Sequence, residues 1–213
     1  MTKGVTDARL GRREREKLAH RREILKAAER VFAEKGFDLA TVEEIAKAAE
    51  FSVGAIYKFF DNKEALRGEA LDSIAEEFLA AFQEVVAGVG DPLDAIIAVV
   101  ELRLRQAEEH GAFFRRIMDS KPGSQAAPDQ AIPPSCRKRY EVYLKDLAGL
   151  FARTIAAGEA RKGDPVYMAL ALEGAINAYW AYWGRKGVSL SMAEQIEIVR
   201  RNCLEMVLQK KGK

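Results

Sequence analysis

The sequence predicts an all-α protein of about nine helices, three of them short and near the N-terminus. Three observations lead there. Apolar residues recur at three- and four-residue spacing along nearly the whole chain, with no convincing alternating strand. Helix-starting residues recur at Thr41, Ser52, Asp61, Asp91, Asp164 and Ser191. Hydrophobic residues make up 48% and charged residues 31% of 213, enough apolar material for a core in a chain that stays soluble.

Ile24, Leu25, Ala28, Val31 and Phe32 form one stripe on the first helix, and Gly36 is placed to stop it. Ahead of that stripe, RLGRREREKLAHRR (9–22) holds seven Lys/Arg against two Glu. Such a run is either a solvated helix face or an arm that tracks DNA. Thr41 with Glu44 makes a capping box for the second helix: the hydroxyl satisfies an orphan N–H, and the carboxylate reaches back. Ser52 is the natural N-cap of the third. Asp61 with Glu64 repeats the pattern for a fourth helix running to about Gly88. Asp91-Pro92 and Asp164-Pro165 each set an N-cap before a proline at the first helical position. Ser191 with Glu194 starts the last helix. Only Asp119–Ser135 (DSKPGSQAAPDQAIPPS), with four of the six prolines, resists a helical reading; it is expected to be a mobile loop between two C-terminal helices.

Several function classes find no support. The 34 basic and 32 acidic residues leave +2, which says nothing about partners. No apolar run approaches the roughly 18 residues that span a bilayer, and the basic N-terminus has no apolar stretch of the secretory kind. Cys136 and Cys203 lie far apart, which argues against a disulfide framework or zinc site and fits a reducing cytoplasm. His20 and His110 have no ligand partner at helical spacing. No Gly-rich phosphate loop, nucleophile elbow or paired-carboxylate signature occurs. Neither an enzyme nor a metal or cofactor site is expected.

Helices as short as those after Thr41 and Ser52 are marginal alone, so each must dock on a partner. Val42, Ile45, Ala46, Val53, Ile56 and Phe60, with Phe32 and Phe37, supply the apolar contacts. A three-helix cluster with a tight turn at 50–52 is a helix-turn-helix. In that motif the second short helix enters the DNA major groove. Helix starts at Thr41, Ser52 and Lys63 would offer N–H groups to phosphates.

Gly36-Phe37, Thr41-Val42, Ile45-Ala46, Ala49, Ser52, Gly54, Ile56-Tyr57, Phe60 and Lys63-Glu64-Ala65-Leu66 together resemble the DNA-binding domain of the TetR family of bacterial repressors, over about residues 20–66. The resemblance implies that Thr41, Ser52, Tyr57 and Lys63 hold phosphates. It places Val53, Gly54, Ala55 and Lys58 against base edges or the adjoining backbone. It also divides the chain into a DNA-binding domain with a basic arm (1–62) and an effector-binding and dimerisation domain (63–213). The implied partners are a double-stranded DNA operator, a small-molecule effector and a second copy of the chain. Two departures stand out. Glu50 occupies the turn position usually held by Gly, which requires a positive φ or a changed turn. Val53 and Ala55 are apolar where many members are polar, so base readout would lean on methyl contacts to thymine and on DNA shape.

The C-terminal part carries the remaining expectations. VYMALALEGAINAYWAYW (166–183) is apolar on all sides, which predicts a helix buried all round, and Ala171, Gly174, Ala178 and Ala181 give it one face of small residues. Met192, Ile196, Val199, Cys203 and Met206 keep helical spacing on the last helix. These two helices either pack within one monomer or build a four-helix interface between two, and the family resemblance agrees with the interface. Glu173 and Asn177 sit four apart in apolar surroundings. Each has either a partner within the chain or at the interface, or a ligand's polar group, because an unpaired buried polar group costs roughly 1–3 kcal/mol. Phe113, Phe114, Tyr140, Tyr143, Phe151, Tyr167, Trp180 and Trp183 are either core or the lining of an effector cavity. Together these features predict a dimeric, effector-responsive repressor. The alternatives are an effector-independent helix-turn-helix protein, an activator of the same family, or an all-α enzyme or carrier without DNA affinity.

Overall fold

The computed structural model describes residues 11–119 and 132–205. Among these residues eight α-helices follow one another and no strand occurs. They are Arg12–Lys35 (α1), Val42–Ala48 (α2), Val53–Ile56 (α3), Lys63–Gly88 (α4), Pro92–Asp119 (α5), Pro134–Ala156 (α6), Pro165–Lys186 (α7) and Met192–Val199 (α8), the last continued by a π-helical turn at Arg200–Leu204. No helix among the described residues is long and apolar enough to cross a membrane.

The helices form two compact units, Met1–Ile74 with Ala112–Pro133, and Ala75–Gly111 with Pro134–Lys213. These units differ from the division after residue 62 expected from sequence. The early part of α4 belongs to the first unit, where Leu66, Ala70, Leu71 and Ile74 are buried. The end of α5 belongs there too: Phe113 is fully buried and stacks on Phe32 with ring centroids 6.2 Å apart.

In the first unit α1 buries the expected stripe together with Ala27, and stops at Gly36, whose φ is 79°. Val42, Ile45 and Ala46 are buried on α2, and Ile56 on α3. Four residues cannot hold a helix unaided, so the position of α3 is set by that buried Ile56 and by Phe60 just beyond it. One cap differs from expectation. The Ala65 N–H donates to Asn62 Oδ1 at 2.7 Å, so Asn62 caps α4 and Asp61 lies one residue too early.

In the second unit Phe82, Val99, Leu104, Leu147, Phe151 and Ile176 centre one apolar core. The predicted starts recur in the structure. Asp91 Oδ1 accepts from the N–H groups of Leu93 and Asp94, both at 2.9 Å. Asp164 Oδ1 accepts from Val166 at 2.8 Å, and Ser191 with Glu194 completes a capping box. Gly111 is required by close approach: a Cβ there would lie 1.8 Å from Trp180 Cζ2.

α7 departs from the expected burial on all sides. It buries Met168, Ala169, Leu172, Glu173, Ile176 and Trp183. Its opposite face leaves Tyr167 72% and Tyr182 51% exposed, with Ala171, Gly174 and Ala178 exposed between them. Among the described residues, the helices of the chain cover one side of α7 only. The loop expected at 119–135 lies mostly outside the described residues, and Pro134 and Ser135 at its end already belong to α6.

Candidate nucleic-acid interface and buried polar cluster

The turn between α2 and α3 is built from backbone bonds. The Phe51 N–H donates to Ala46 O at 2.9 Å and the Glu50 N–H to Lys47 O at 3.2 Å. This pair of bonds is the Schellman arrangement, which needs a left-handed residue just past the helix end. Glu50 fills that position with φ 61°, the one positive-φ non-glycine among the described residues. Of the two outcomes expected for a missing glycine, the structure takes the strained backbone.

Cations then grip the carbonyls that short helices and their links leave unsatisfied. Lys63 Nζ donates to Phe37 O at 2.8 Å and Ala40 O at 3.1 Å, and stands 4.4 Å from the Phe37 ring centroid. Arg21 donates to Phe59 O at 2.9 Å, pairs with Glu69 and lies over the Phe60 ring. Arg30 reaches Ala48 O at 3.3 Å. Lys63 therefore has an internal occupation that sequence reasoning missed. Its ammonium ties the link between α1 and α2 to the start of α4, which explains a lysine at a helix N-terminus.

The other residues expected at DNA lie on or beside α2 and α3. Thr41 Oγ1 accepts from the Glu44 N–H at 3.2 Å, and Ser52 Oγ from the Ala55 N–H at 3.1 Å. Both hydroxyls cap with a lone pair, which leaves their O–H free to donate outward. Hydrogen bonds from Lys35 and the Thr41 N–H hold the Glu44 carboxyl below its usual range. Tyr57 is 53% exposed, Lys58 and Gly54 are exposed, and Val53 and Ala55 are half-buried. A Cβ on Gly54 would meet no atom within 4 Å, so nothing inside the chain calls for glycine there.

A second polar site lies inside the second unit. Glu173 is 2% exposed and faces the Arg103 side chain, 15% exposed, across a 3.0 Å ion pair. Arg103 Nε also donates to both Glu173 oxygens at 3.1 Å. The guanidinium continues to Gln106 and to Asn177 Oδ1 at 3.3 Å. Tyr143 O–H donates to Glu173 Oε1 at 2.5 Å, while its ring meets Phe78 and Phe82 edge-on, each at 4.9 Å. Burial works against the Arg103 charge, but the adjacent carboxylate outweighs it and keeps the guanidinium more basic than usual. Burial, reinforced by the Glu173 charge, pushes the Tyr143 hydroxyl well up, and that of Tyr140 in the same direction.

Of the residues expected at a ligand, the structure brings together Tyr140, Tyr143, Glu173 and Asn177, with Arg103 and Gln106 as the missed members. A signal for Arg103 was present: it continues the buried stripe of Ile96, Val99 and Val100 on α5. Phe151 is core in this unit. Trp180 packs on Gly111. Phe113 and Phe114 belong to the first unit. Of the residues expected between two copies, Ala171, Gly174 and Ala178 are exposed. Val199 is not: it is fully buried in its own chain's core, and Ile196 and Cys203 pack against that core. Helical periodicity identified an apolar face of α8 but not that the same chain covers it. Burial raises the Cys203 thiol above its usual range, as suits a packed thiol. Met206 lies outside the described residues.

A family model for bacterial regulatory proteins of the tetR family matches residues 24–70, the span from the α1 stripe to the start of α4. Over that span the chain carries the N-terminal domain of the TetR family. A curated relative, the HTH-type transcriptional repressor KstR2 of Rhodococcus jostii, is 34% identical over 84 residues, which are 39% of this chain and 41% of that one. The chain thus spans less than half the length of that relative. The fold extends further. A TetR/AcrR-family regulator from Thermobifida fusca superposes with a TM-score of 0.68 at 28% identity, over 86% of this chain and 96% of that one. FadR of Bacillus subtilis in complex with stearoyl-CoA also gives 0.68, at 19% identity over 84% and 95%.

Proposed function

We propose that this TetR-family chain is a dimeric DNA-binding transcriptional repressor, released from a pseudo-palindromic operator by a small, mostly apolar effector held in the second unit. The observation that carries the reading is the outer surface of α2 and α3. Two hydroxyls with protons to spare, an exposed Tyr57 and Lys58, and a glycine with no internal reason to be one share a surface built on a helix-turn-helix. Thr41, Ser52 and Tyr57 take phosphates. Lys63, already bonded to two carbonyls, adds its charge and its third N–H. Gly54 lets the backbone of α3 approach the groove, beside Val53, Ala55 and Lys58. The family model covers this same stretch.

The exposed face of α7, with small residues between Tyr167 and Tyr182, supports self-association through Ala171, Gly174 and Ala178. A neighbour of the same fold holds stearoyl-CoA, which supports an apolar effector. Glu173 and Asn177 are already bonded to Arg103, so an effector that reaches them must exchange with those bonds. Release then requires tighter effector binding to the dimer that fits DNA poorly; α4 and α5, which run through both units, are the connection.

Selection from a random duplex pool tests the reading. A palindromic consensus bound far more tightly than random DNA is expected. Affinity without enrichment, collapsing as salt rises, would leave a phosphate-only binder instead.

A further inference from the structure

α1 is longer than the first unit's core requires. Its buried residues begin at Ile24, yet the helix starts at Arg12, so three turns precede the core. Residues 11–17 are exposed throughout. From Arg12 to Arg22 this extension holds six Lys/Arg against two Glu. Both acids are already engaged: Glu14 accepts from the Gly11 N–H at 3.3 Å, and Glu16 pairs with Arg12 at 2.8 Å.

The extension is also oriented. The His20 ring packs edge-on against Phe51 of the helix-turn-helix turn, with centroids 5.2 Å apart. Arg21 is bonded to Phe59 O just beyond α3 and to Glu69. These two side chains define the face of α1 that packs on the helix-turn-helix segment. Lys17 lies three residues before His20 and four before Arg21, and Arg13 four before Lys17, so both continue that face. At the helical rise they stand about 6 Å and about 12 Å beyond Arg21 along the axis.

We infer that the N-terminal turns of α1 are a second DNA-contacting element, in which Arg13 and Lys17 take duplex phosphates next to those held by α2 and α3. Charge complementarity and continuity with that surface select duplex DNA as the occupant. The inference rests on the proposed DNA-binding function. The extension adds affinity and footprint but no base readout, because phosphate contacts carry no sequence information.

The test compares the wild type with Arg13→Gln/Lys17→Gln, and with Arg137→Gln/Lys138→Gln as a charge-matched control in the second unit. Glutamine keeps helix propensity, and circular dichroism verifies the fold. Affinity for a random-sequence duplex of about 30 base pairs is measured against salt; losing two phosphate contacts per protomer lowers the slope of log K on log salt by about 1.8 for each protomer bound. The expected result is that drop in the α1 variant alone, with a hydroxyl-radical footprint shortened at its outer edges. An unchanged slope, or an equal drop in the control, overturns the inference and leaves the helix-turn-helix reading standing. A wild type with no duplex affinity at any salt overturns both.

Discussion

The two units hold their charged side chains in opposite ways. In the first, Lys63, Arg21 and Arg30 lie near the surface and donate to main-chain carbonyls. In the second, Arg103 is enclosed and bonded to other side chains, with Glu173 at its centre. A cation on a carbonyl at the surface braces a short helix, and water can replace it. A buried cation on one buried carboxylate depends on that partner, because removing it leaves a desolvated charge. The comparison teaches where each unit tolerates change: the first unit by degrees, the second unit hardly at all at one point.

The largest expected effect breaks the buried pair. Glu173→Ala should cost about 3–5 kcal/mol of stability in denaturant unfolding, whereas replacing both partners, as Arg103→Met/Glu173→Leu, should be far milder. Equal losses would show that packing rather than charge holds this centre. Alkali attacks the same network more gently. The folded chain holds the Tyr143 and Tyr140 protons more tightly than an unfolded chain does. Their contribution is therefore complete below about pH 10 and declines as pH rises past it, since unfolding then releases protons. Tyr143→Phe should flatten that decline, as followed by thermal melting against pH.

The first unit should yield smaller numbers. Lys63→Met removes two hydrogen bonds, one of them to the carbonyl of the buried Ala40, so about 1–2 kcal/mol is expected, together with weaker binding to every duplex. A loss as large as that of Glu173→Ala would erase the contrast between the units. Glu50→Gly relieves the left-handed residue and should stabilise by about 0.5–1 kcal/mol in thermal unfolding. Gly54→Ala sharpens the distinction between fold and function. It should stabilise α3 by a similar amount, about 0.5–1 kcal/mol, while binding assays show weaker DNA affinity. Unchanged affinity would remove Gly54 from the groove.

What was legible in the sequence was what is local. The capping boxes at Thr41 and Ser191 join residues three apart, so residue type and spacing reveal them. The strained turn at Glu50 was likewise visible as a charged residue where glycine belongs. Asn62 displaced Asp61 because two good caps stood side by side and only geometry chooses between them. The Arg103–Glu173 pair joins residues 70 apart on different helices, and no spacing rule spans that distance. Val199 shows a further limit: periodicity marks an apolar face without saying whether the same chain or another covers it.

Both tryptophans of the chain, Trp180 and Trp183, lie on α7 in the second unit. Of the six tyrosines, Tyr57 alone stands in the first unit. Emission excited at the red edge of the indole band, where tyrosine is silent, therefore originates wholly in the unit that does not carry the helix-turn-helix. Trp180, wedged against Gly111, is placed to register a shift between α5 and α7. The unlabelled protein is thus its own optical reporter: a change in indole emission when DNA is added would measure how far the second unit responds to the first.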